Sequence, residues 1–382
     1  MDYISIKEAS DKWKISDSRI RVLCREGRIE GAVKIGRNWS IPSQAAKPID
    51  AREAINKKYL LLPVSAGAVK KVLSFYSDTS LVYELTARID LLTPEYLYPV
   101  DMHLFKSMML EVLCKPDMQL DLYMTDTIPE LPESAERYRP FSHFTVKYGW
   151  FNDPNGLVQI EGKYHMFYQY NPAGSEWGNM HWGHAISSDL FHWQEQDIAL
   201  YPDEMGTMFS GSAIIDSENR SGFSKNGEPV VLLYYTAAGN ISEHSKNKRF
   251  TQCVAYSTDE GKSFTKYEHN PIVQHIQANN RDPKVVFSPE LNKYIMALFL
   301  EGHQYCLLIS ENLIEWEKLQ EVTLNDDGEC PDFFPLPVDG NIKNIKWIVS
   351  YDNVPEIMSL YSECQMKEFS FKHTAFKVRT GK

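Results

Sequence analysis

Apolar residues fall mostly in short runs separated by turn formers, but the first fifty positions follow helical spacing. Ser5-Ile6-Lys7-Glu8 has the form of a capping box, with Ser5 accepting from first-turn amides and Glu8 reaching back, which predicts a helix to about Trp13. Ser16 can cap a second helix that places Ile20, Leu23 and Cys24 on one face and Arg19, Arg21 and Arg25 on the others, with Gly27 as a left-handed terminator. Residues 32–35 and 38–42, around Gly36-Arg37, then read as a hairpin with a basic tip. Short apolar segments at 59–62, 72–76, 81–85, 109–113 and 120–123 predict a small antiparallel β domain over 59–127. The proline-containing stretch 128–140 reads as a linker.

From residue 141 onward the spacing is again that of strands, now with internal repetition. Residues 186–193, Ile-Ser-Ser-Asp-Leu-Phe-His-Trp, match residues 309–316, Ile-Ser-Glu-Asn-Leu-Ile-Glu-Trp, and Tyr256-Ser257-Thr258-Asp259 begins a weaker third copy. Each copy follows a predicted strand, and a turn repeated at the same place in successive units is the mark of a radially repeated β architecture. A β-propeller over 141–349 is the expected fold, in a mainly β chain that also carries the small β domain and a small helical module over 1–58.

Composition refines this picture. The chain has 382 residues, 43% hydrophobic and 24% charged, which is the profile of a folded protein of two or three domains. The longest apolar runs, 59–64 and 295–300, are far below the roughly 18 residues needed to span a bilayer, and the amino terminus lacks the pattern of a secretory signal. Six cysteines lie far apart with no C-x-x-C pair, which fits neither a zinc site nor a disulfide framework, so a cytoplasmic location is expected. The net charge of -11 is unevenly spread: residues 1–58 hold 13 Lys/Arg against 8 Asp/Glu, a net of +5, and the rest holds 27 against 43, a net of -16. Two parts with different partners are expected.

Three acidic residues sit in rigid turn contexts: Asp153 in Trp150-Phe151-Asn152-Asp153-Pro154-Asn155-Gly156, Asp282 in Arg281-Asp282-Pro283, and Glu329 in Glu329-Cys330-Pro331-Asp332. Acid-proline turns are often purely structural, but a propeller axis gathers one strand from each blade, so acids distant in sequence can converge there. Glycosidic bonds are cleaved by two carboxyl groups, one acting as nucleophile or base and one as acid. Asp153 and Glu329 are the natural pair: amide donors near Asp153 favour its ionised form, while Glu329 beside Cys330 and Pro331 is expected to be desolvated and proton-bearing. The histidines lack ligand spacing and this chemistry needs no cofactor, so neither a metal nor a cofactor is expected.

These motifs, together with Phe167-Tyr168-Gln169, Met180-His181-Trp182-Gly183-His184-Ala185 and Phe209-Ser210-Gly211-Ser212-Ala213, resemble the ordered motifs of glycoside hydrolase family 32, the invertases, inulinases and levanases. The resemblance implies a five-bladed propeller that hydrolyses terminal β-D-fructofuranosides of sucrose, fructo-oligosaccharides or fructan with retention. It implies Asp153 as nucleophile, Glu329 as acid/base and Asp282 as transition-state stabiliser. It places Asn152, Gln169, Trp177, Phe209, Ser210 and Arg281 in the fructose subsite, although Trp177 also suits a rim aromatic and Gln169 a satisfied core amide. Trp182, His181 and His184 read as braces of the propeller. Fructosyl transfer to a sugar acceptor uses the same carboxylates and is the alternative reaction.

Residues 350–382 depart from the family pattern and read as a divergent, basic and polar tail, so the propeller is expected to be incomplete. The first fifty residues resemble winged helix-turn-helix domains of the excisionase and MerR-like type. That resemblance implies DNA as a partner, with Arg19, Arg21, Arg25, Lys34 and Arg37 at phosphates, and it admits a DNA-binding regulator with a sugar-sensing or vestigial fructosidase portion as an alternative function.

Overall fold

The computed structural model describes residues 2–13, 16–25, 29, 31–36, 38–45, 57–77, 80–105, 108, 110–115, 123–129, 139–140, 142–324, 328–351, 356–362 and 371–377. Near the amino terminus, β1 (Tyr3–Ser5) leads into α1 (Ile6–Trp13), followed by α2 (Asp17–Arg25), β2 (Val33–Ile35) and β3 (Asn38–Pro42), with sheet order β1-β3-β2. The capping box forms: the Ser5 amide donates to Glu8 Oε2 at 2.7 Å and the Glu8 amide to Ser5 Oγ at 3.2 Å. Ile6, Ala9 and Trp13 of α1 pack on Ile20, Leu23 and Cys24 of α2, with Ile29 and Ile41, in a core of their own.

The next module holds two three-stranded sheets. One has the order β7 (Tyr96–Asp101), β4 (Tyr59–Val64), β9 (Tyr123–Thr125), and the other β6 (Ser80–Arg88), β5 (Lys70–Ser77), β8 (Leu110–Lys115). Leu60, Leu62 and Val64 of the first sheet meet Leu73, Phe75, Tyr83 and Leu85 of the second. Strand β7, absent from the sequence reading, lies at a sheet edge, where Pro99 costs no ladder bond. Most of the expected linker, residues 130–138, lies outside the described residues.

Four antiparallel four-stranded sheets follow in chain order: β10 (Trp150–Ile160) to β13 (Trp193–Glu195) with β11 (Lys163–Asn171) and β12 (His181–Ser187); β14 (Thr207–Asp216) to β17 (Thr265–Lys266) with β15 (Val230–Ala238) and β16 (Thr251–Ser257); β18 (Arg281–Ser288) to β21 (Glu317–Thr323) with β19 (Lys293–Glu301) and β20 (Gln304–Ser310); and β22 (Asp332–Val338), β23 (Asn341–Ser350), β24 (Glu356–Ser362) and β25 (Phe371–Lys377). The first strands of successive sheets touch one another, β10 to β14, β14 to β18 and β18 to β22, which is the radial order of propeller blades.

The second strands explain the long apolar runs. In β15, Leu232 and Tyr234 join Met296 and Leu298 of β19 in the core between the second and third sheets, whereas Leu233, Tyr235 and Ala237 face Phe167 and Trp182 of the first sheet. In β19 the alternate set, Ile295, Ala297 and Phe299, packs with Phe333 and Trp347 of the fourth sheet. A strand covered on both faces has no polar face to show, so period-two alternation is hidden inside a continuous hydrophobic run. Each such Leu, Ile or Phe side chain contributes roughly 1.5–3 kcal/mol of burial.

The domain boundary expected at 349 and the divergent tail after it require correction. Strands β24 and β25 pair with β23, in a register that sets Trp347 opposite Leu360 and Met358 opposite Ala375, and complete a fourth sheet. The repeat motif misses this because it tests a turn rather than a ladder, and backbone hydrogen bonds form without it. One signal was present: β24 ends on Ser362, as β12, β16 and β20 end on Ser187, Ser257 and Ser310.

Candidate active site

Each of the first three sheets opens with an irregularity in its first strand. The β10 ladder shifts register between Phe151 and Pro154, which frees Asn152 and Asp153 from pairing. The β14 ladder shifts between Phe209 and Gly211 at Ser210, and the β18 ladder between Arg281 and Lys284 at Asp282 and Pro283. A bulge bends its strand and re-aims a side chain, and here three bulges deliver their side chains to the same place. Two glycines permit the approach: a Cβ on Gly156, where φ is +52°, would come within 2.9 Å of the Phe167 ring, and one on Gly211 would lie 2.0 Å from the Tyr234 carbonyl oxygen.

Between the first strands lies a cavity of about 200 Å³ lined by Asp153, Asn155, Ser210, Asp282, Lys284, Cys330 and Asp332, among others. The three carboxyl groups meet different surroundings. Asp153 is exposed and accepts hydrogen bonds from Ser210 Oγ at 2.9 Å and Asn152 Nδ2 at 3.1 Å. Asp282 is 5% exposed and accepts from the Cys330 amide at 3.1 Å, and its own amide donates to Thr236 Oγ1 at 3.0 Å. Burial pushes the Asp282 carboxyl up to about 6, against the downward pull of the Arg281 guanidinium 3.6 Å away and of the Cys330 amide. Its backbone is held at φ +64° and that of Cys330 at +53°, left-handed conformations that non-glycine residues adopt at a cost of order 1–3 kcal/mol.

Glu329 departs from expectation. Its side chain is half exposed, not desolvated, and it accepts a fork from Arg281, with Nε at 2.8 Å and Nη2 at 2.5 Å. Arg281 in turn lies over the Phe299 ring at 4.5 Å, so this cation is fixed on three sides by Glu329, Asp282 and an aromatic face. The carboxyl buried at this site is Asp282. Glu329 precedes β22 on a connecting segment, whereas Asp282 lies in the β18 bulge with the Cys330 amide and thiol against its carboxyl.

The remaining expected residues divide. Asn152 and Ser210 hold Asp153, and Arg281 joins Glu329 to Asp282. Phe209 meets Trp177 edge to face at 5.8 Å, but Trp177, half exposed, lines a second cavity at the seam with the small β module and not the central one. Gln169 is buried, donates to the Met208 carbonyl at 2.8 Å, and is not among the residues that line the central cavity. His181, His184 and Trp182 are buried, and burial pulls both imidazoles down to about 3, as braces of the sheet require. Arg21, Arg25 and Lys34 are exposed. Arg37 and the side chain of Arg19 lie outside the described residues. No group of three or more metal-ligating side chains occurs among the described residues.

Sequence reasoning passed over Asn155 and Cys330. Asn155 is 2% exposed with an Nδ2 that has no partner, and it lines the central cavity. Cys330 directs both its amide and its thiol, 3.6 Å away, at Asp282 Oδ2, and burial raises that thiol strongly. Both stand in the motifs that carry Asp153 and Glu329, and that adjacency was the available signal.

Comparison with known proteins bears on this geometry. A family profile described as the glycosyl hydrolases family 32 N-terminal domain matches residues 143–379. The chain is 43% identical over 221 residues to a levanase of Bacillus subtilis (strain 168), covering 56% of this chain and 31% of that protein. It is 40% identical over 237 residues to an extracellular exo-inulinase of Aspergillus niger, covering 56% and 44%. Among solved structures it is similar to the exo-inulinase of Aspergillus awamori, with a TM-score of 0.51, 32% identity, and 64% of this chain and 50% of that one covered. A fructofuranosidase of Schwanniomyces occidentalis complexed with fructosylnystose gives a TM-score of 0.52 at 30% identity, with 67% and 52% covered. The chain thus spans half or less of the length of these curated relatives.

Proposed function

The chain belongs to glycosyl hydrolase family 32, and from that membership we propose that it is a retaining, exo-acting β-fructosidase that releases terminal β-D-fructofuranosyl units from sucrose, fructo-oligosaccharides or fructan. The observation that carries the reading is the convergence of Asp153 and Asp282 on one cavity, with Glu329 tied to Asp282 through Arg281. Asp153, the exposed carboxylate, attacks the anomeric carbon, and the glycosidic bond breaks to give a fructosyl ester. Glu329 gives its proton to the leaving oxygen, then removes one from the water that opens the ester. The half-exposed position of Glu329 lets it exchange that proton with solvent. Ser210 and Asn152 fix the Asp153 carboxylate, and Asp282 offers its free oxygen to fructose hydroxyls. In the test, Asp153→Ala and Glu329→Ala each lower fructose release from sucrose and inulin by at least a thousandfold with unfolding temperatures unchanged. Unchanged release in both variants ends the proposal, and fructosyl-sucrose products at high sucrose reassign the chemistry to transfer.

A second reading concerns residues 1–58 and proposes DNA as the partner of a winged helix-turn-helix. Its support is a two-helix and hairpin unit with its own core, exposed Arg21 and Arg25 on α2 and exposed Lys34 on β2. Retention of labelled duplex DNA at low salt, falling with ionic strength and in Arg21→Ala/Arg25→Ala, is the expected result. No salt-sensitive retention removes the reading.

A further inference from the structure

The seam between the small β module and the propeller encloses a second cavity, about 220 Å³ in volume, that the fructosidase reading does not use. β6 of the small module, the 172–180 segment after β11 and the 239–248 segment after β15 supply most of its lining, with Lys70 of β5 and Thr207 of β14. The seam is a fixed one. Asn179 pairs with the β6 backbone as an added strand would, Oδ1 accepting from the Thr86 amide at 2.8 Å and Nδ2 donating to its carbonyl at 2.6 Å, and Tyr83 Oη meets His181 Nε2 at 2.9 Å.

The lining is polar, and its Lys70 and Arg88 are both engaged. Glu176 takes up Lys70 at 2.8 Å and Arg88 at 3.1 Å, and Arg88 also donates to the Ala68 carbonyl at 2.8 Å. Among the described lining residues, two buried polar atoms have no partner: one oxygen of Glu84, Oε2, and the hydroxyl of Thr207, which is 4% exposed. Orphaned buried polar groups are costly to keep, and two on one cavity form a site prepared for hydrogen-bonding partners. Beside them stands the half-exposed indole of Trp177, a flat apolar face. An acceptor oxygen, a hydroxyl and an aromatic face with the charges internally neutralised suit an uncharged polyhydroxylated ligand better than an anion. The volume lies below the roughly 300–1,000 Å³ of pockets that enclose drug-sized ligands, which limits the occupant to one small unit.

We propose that this cavity is a second carbohydrate site, taking one glycosyl unit of a fructoside chain whose terminal unit lies at Asp153. The identity of the chain rests on the fructosidase reading, whereas the polyhydroxylated class rests on the cavity alone. Thr207 and Ser210 are three residues apart on β14, roughly 10 Å along the strand, with the register shift at Ser210 turning the chain between them, a distance that an oligosaccharide can span. Trp177 and Phe209, in edge-to-face contact, stand between them.

The test is calorimetric titration of the full chain carrying Asp153→Ala, so that the probe is not consumed, with fructose and with the tetrasaccharide nystose. Thr207→Val and Glu84→Gln are then added singly. Neither substitution breaks a hydrogen bond present in the structure, since the oxygen that accepts from the Glu243 amide persists in Gln, so both variants stay folded. The expected result is nystose affinity reduced at least fivefold in each variant with fructose affinity unchanged. Nystose affinity unchanged in both, or fructose and nystose weakened in parallel, overturns the proposal. Sucrose hydrolysis by the same substitutions with Asp153 intact separates the two readings: absent fructose release defeats the fructosidase reading alone, and release with nystose binding indifferent to Thr207 and Glu84 defeats the seam site alone.

Discussion

The rim and the axis of the propeller use the ends of their strands in opposite ways. At the rim, the turn after the third strand is made three times from one recipe. Ser187, Ser257 and Ser310 direct Oγ to Asp189, Asp259 and Asn312, at 3.1, 2.7 and 3.3 Å, and the same hydroxyls accept the amides of Leu190, Gly261 and Leu313. Leu190, Glu260 and Leu313 all sit in left-handed conformations, at φ +67°, +64° and +69°. At the axis no two carboxyl groups share a solution: Asp153 is exposed with two side-chain donors, Asp282 is buried in a strained bulge, and Glu329 rides on Arg281. A turn is the same mechanical problem in each blade. In the proposed reaction the steps differ, and the three carboxyls have three environments to match.

The sharpest break between the two regions is Asp282→Asn. Fructose release is expected to fall a hundredfold or more, while stability rises, because the folded protein keeps a carboxylate where burial opposes charge. The sign follows from linkage: the folded-state value of about 6 lies above the ordinary 3.8, so the folded protein holds this proton more tightly. Stability therefore falls as pH rises from about 4 to about 6, and the loss is complete above that window. Asn removes the titration and keeps an acceptor for the Cys330 amide. At pH 7 the variant gains up to about 3 kcal/mol, and at pH 3 the two proteins converge. Denaturant midpoints at the two pH values read this directly, and a variant less stable than the parent at pH 7 refutes the assignment of a strained, desolvated carboxyl.

The two regions were also unequally legible in the sequence. The rim motif, in Ser187–Asp189 and Ser310–Asn312, is local hydrogen bonding between near neighbours, so it is written in consecutive residues. The capping box of α1 was readable for the same reason. The axis is assembled from residues 153, 210, 282 and 329, and the sequence gives their identities without their burial. That is why Glu329 is half exposed where a desolvated carboxyl was expected, why the buried carboxyl is Asp282, and why Trp177 and Gln169 are not among the residues lining the central cavity. The fourth sheet escaped for a related reason. The β24 and β25 ladders depend on partners in β23 and in each other, which no local motif encodes.

The remaining contrast applies one chemical change to both regions. Ser210→Ala deletes the hydroxyl that donates to Asp153 Oδ2 at 2.9 Å, a hydrogen bond to a carboxylate, for which about 1.5–3 kcal/mol is the usual scale. If that energy orients the nucleophile, turnover falls roughly tenfold to a hundredfold, with little change in unfolding temperature, because Ser210 occupies a bulge that contributes no ladder bond. Ser310→Ala removes a hydroxyl of the same size that accepts the Leu313 amide at 2.8 Å and the Asn312 amide at 3.3 Å in the rim turn. It leaves a buried amide unpaired and costs about 1 kcal/mol of stability, with turnover unchanged. Equal losses of stability in both variants, or a turnover defect in Ser310→Ala, would mean that rim and axis are mechanically coupled. The separate inter-sheet clusters on the two faces of β19 argue for independence, since the blade between a rim turn and the axis is packed throughout its length and offers one arrangement only.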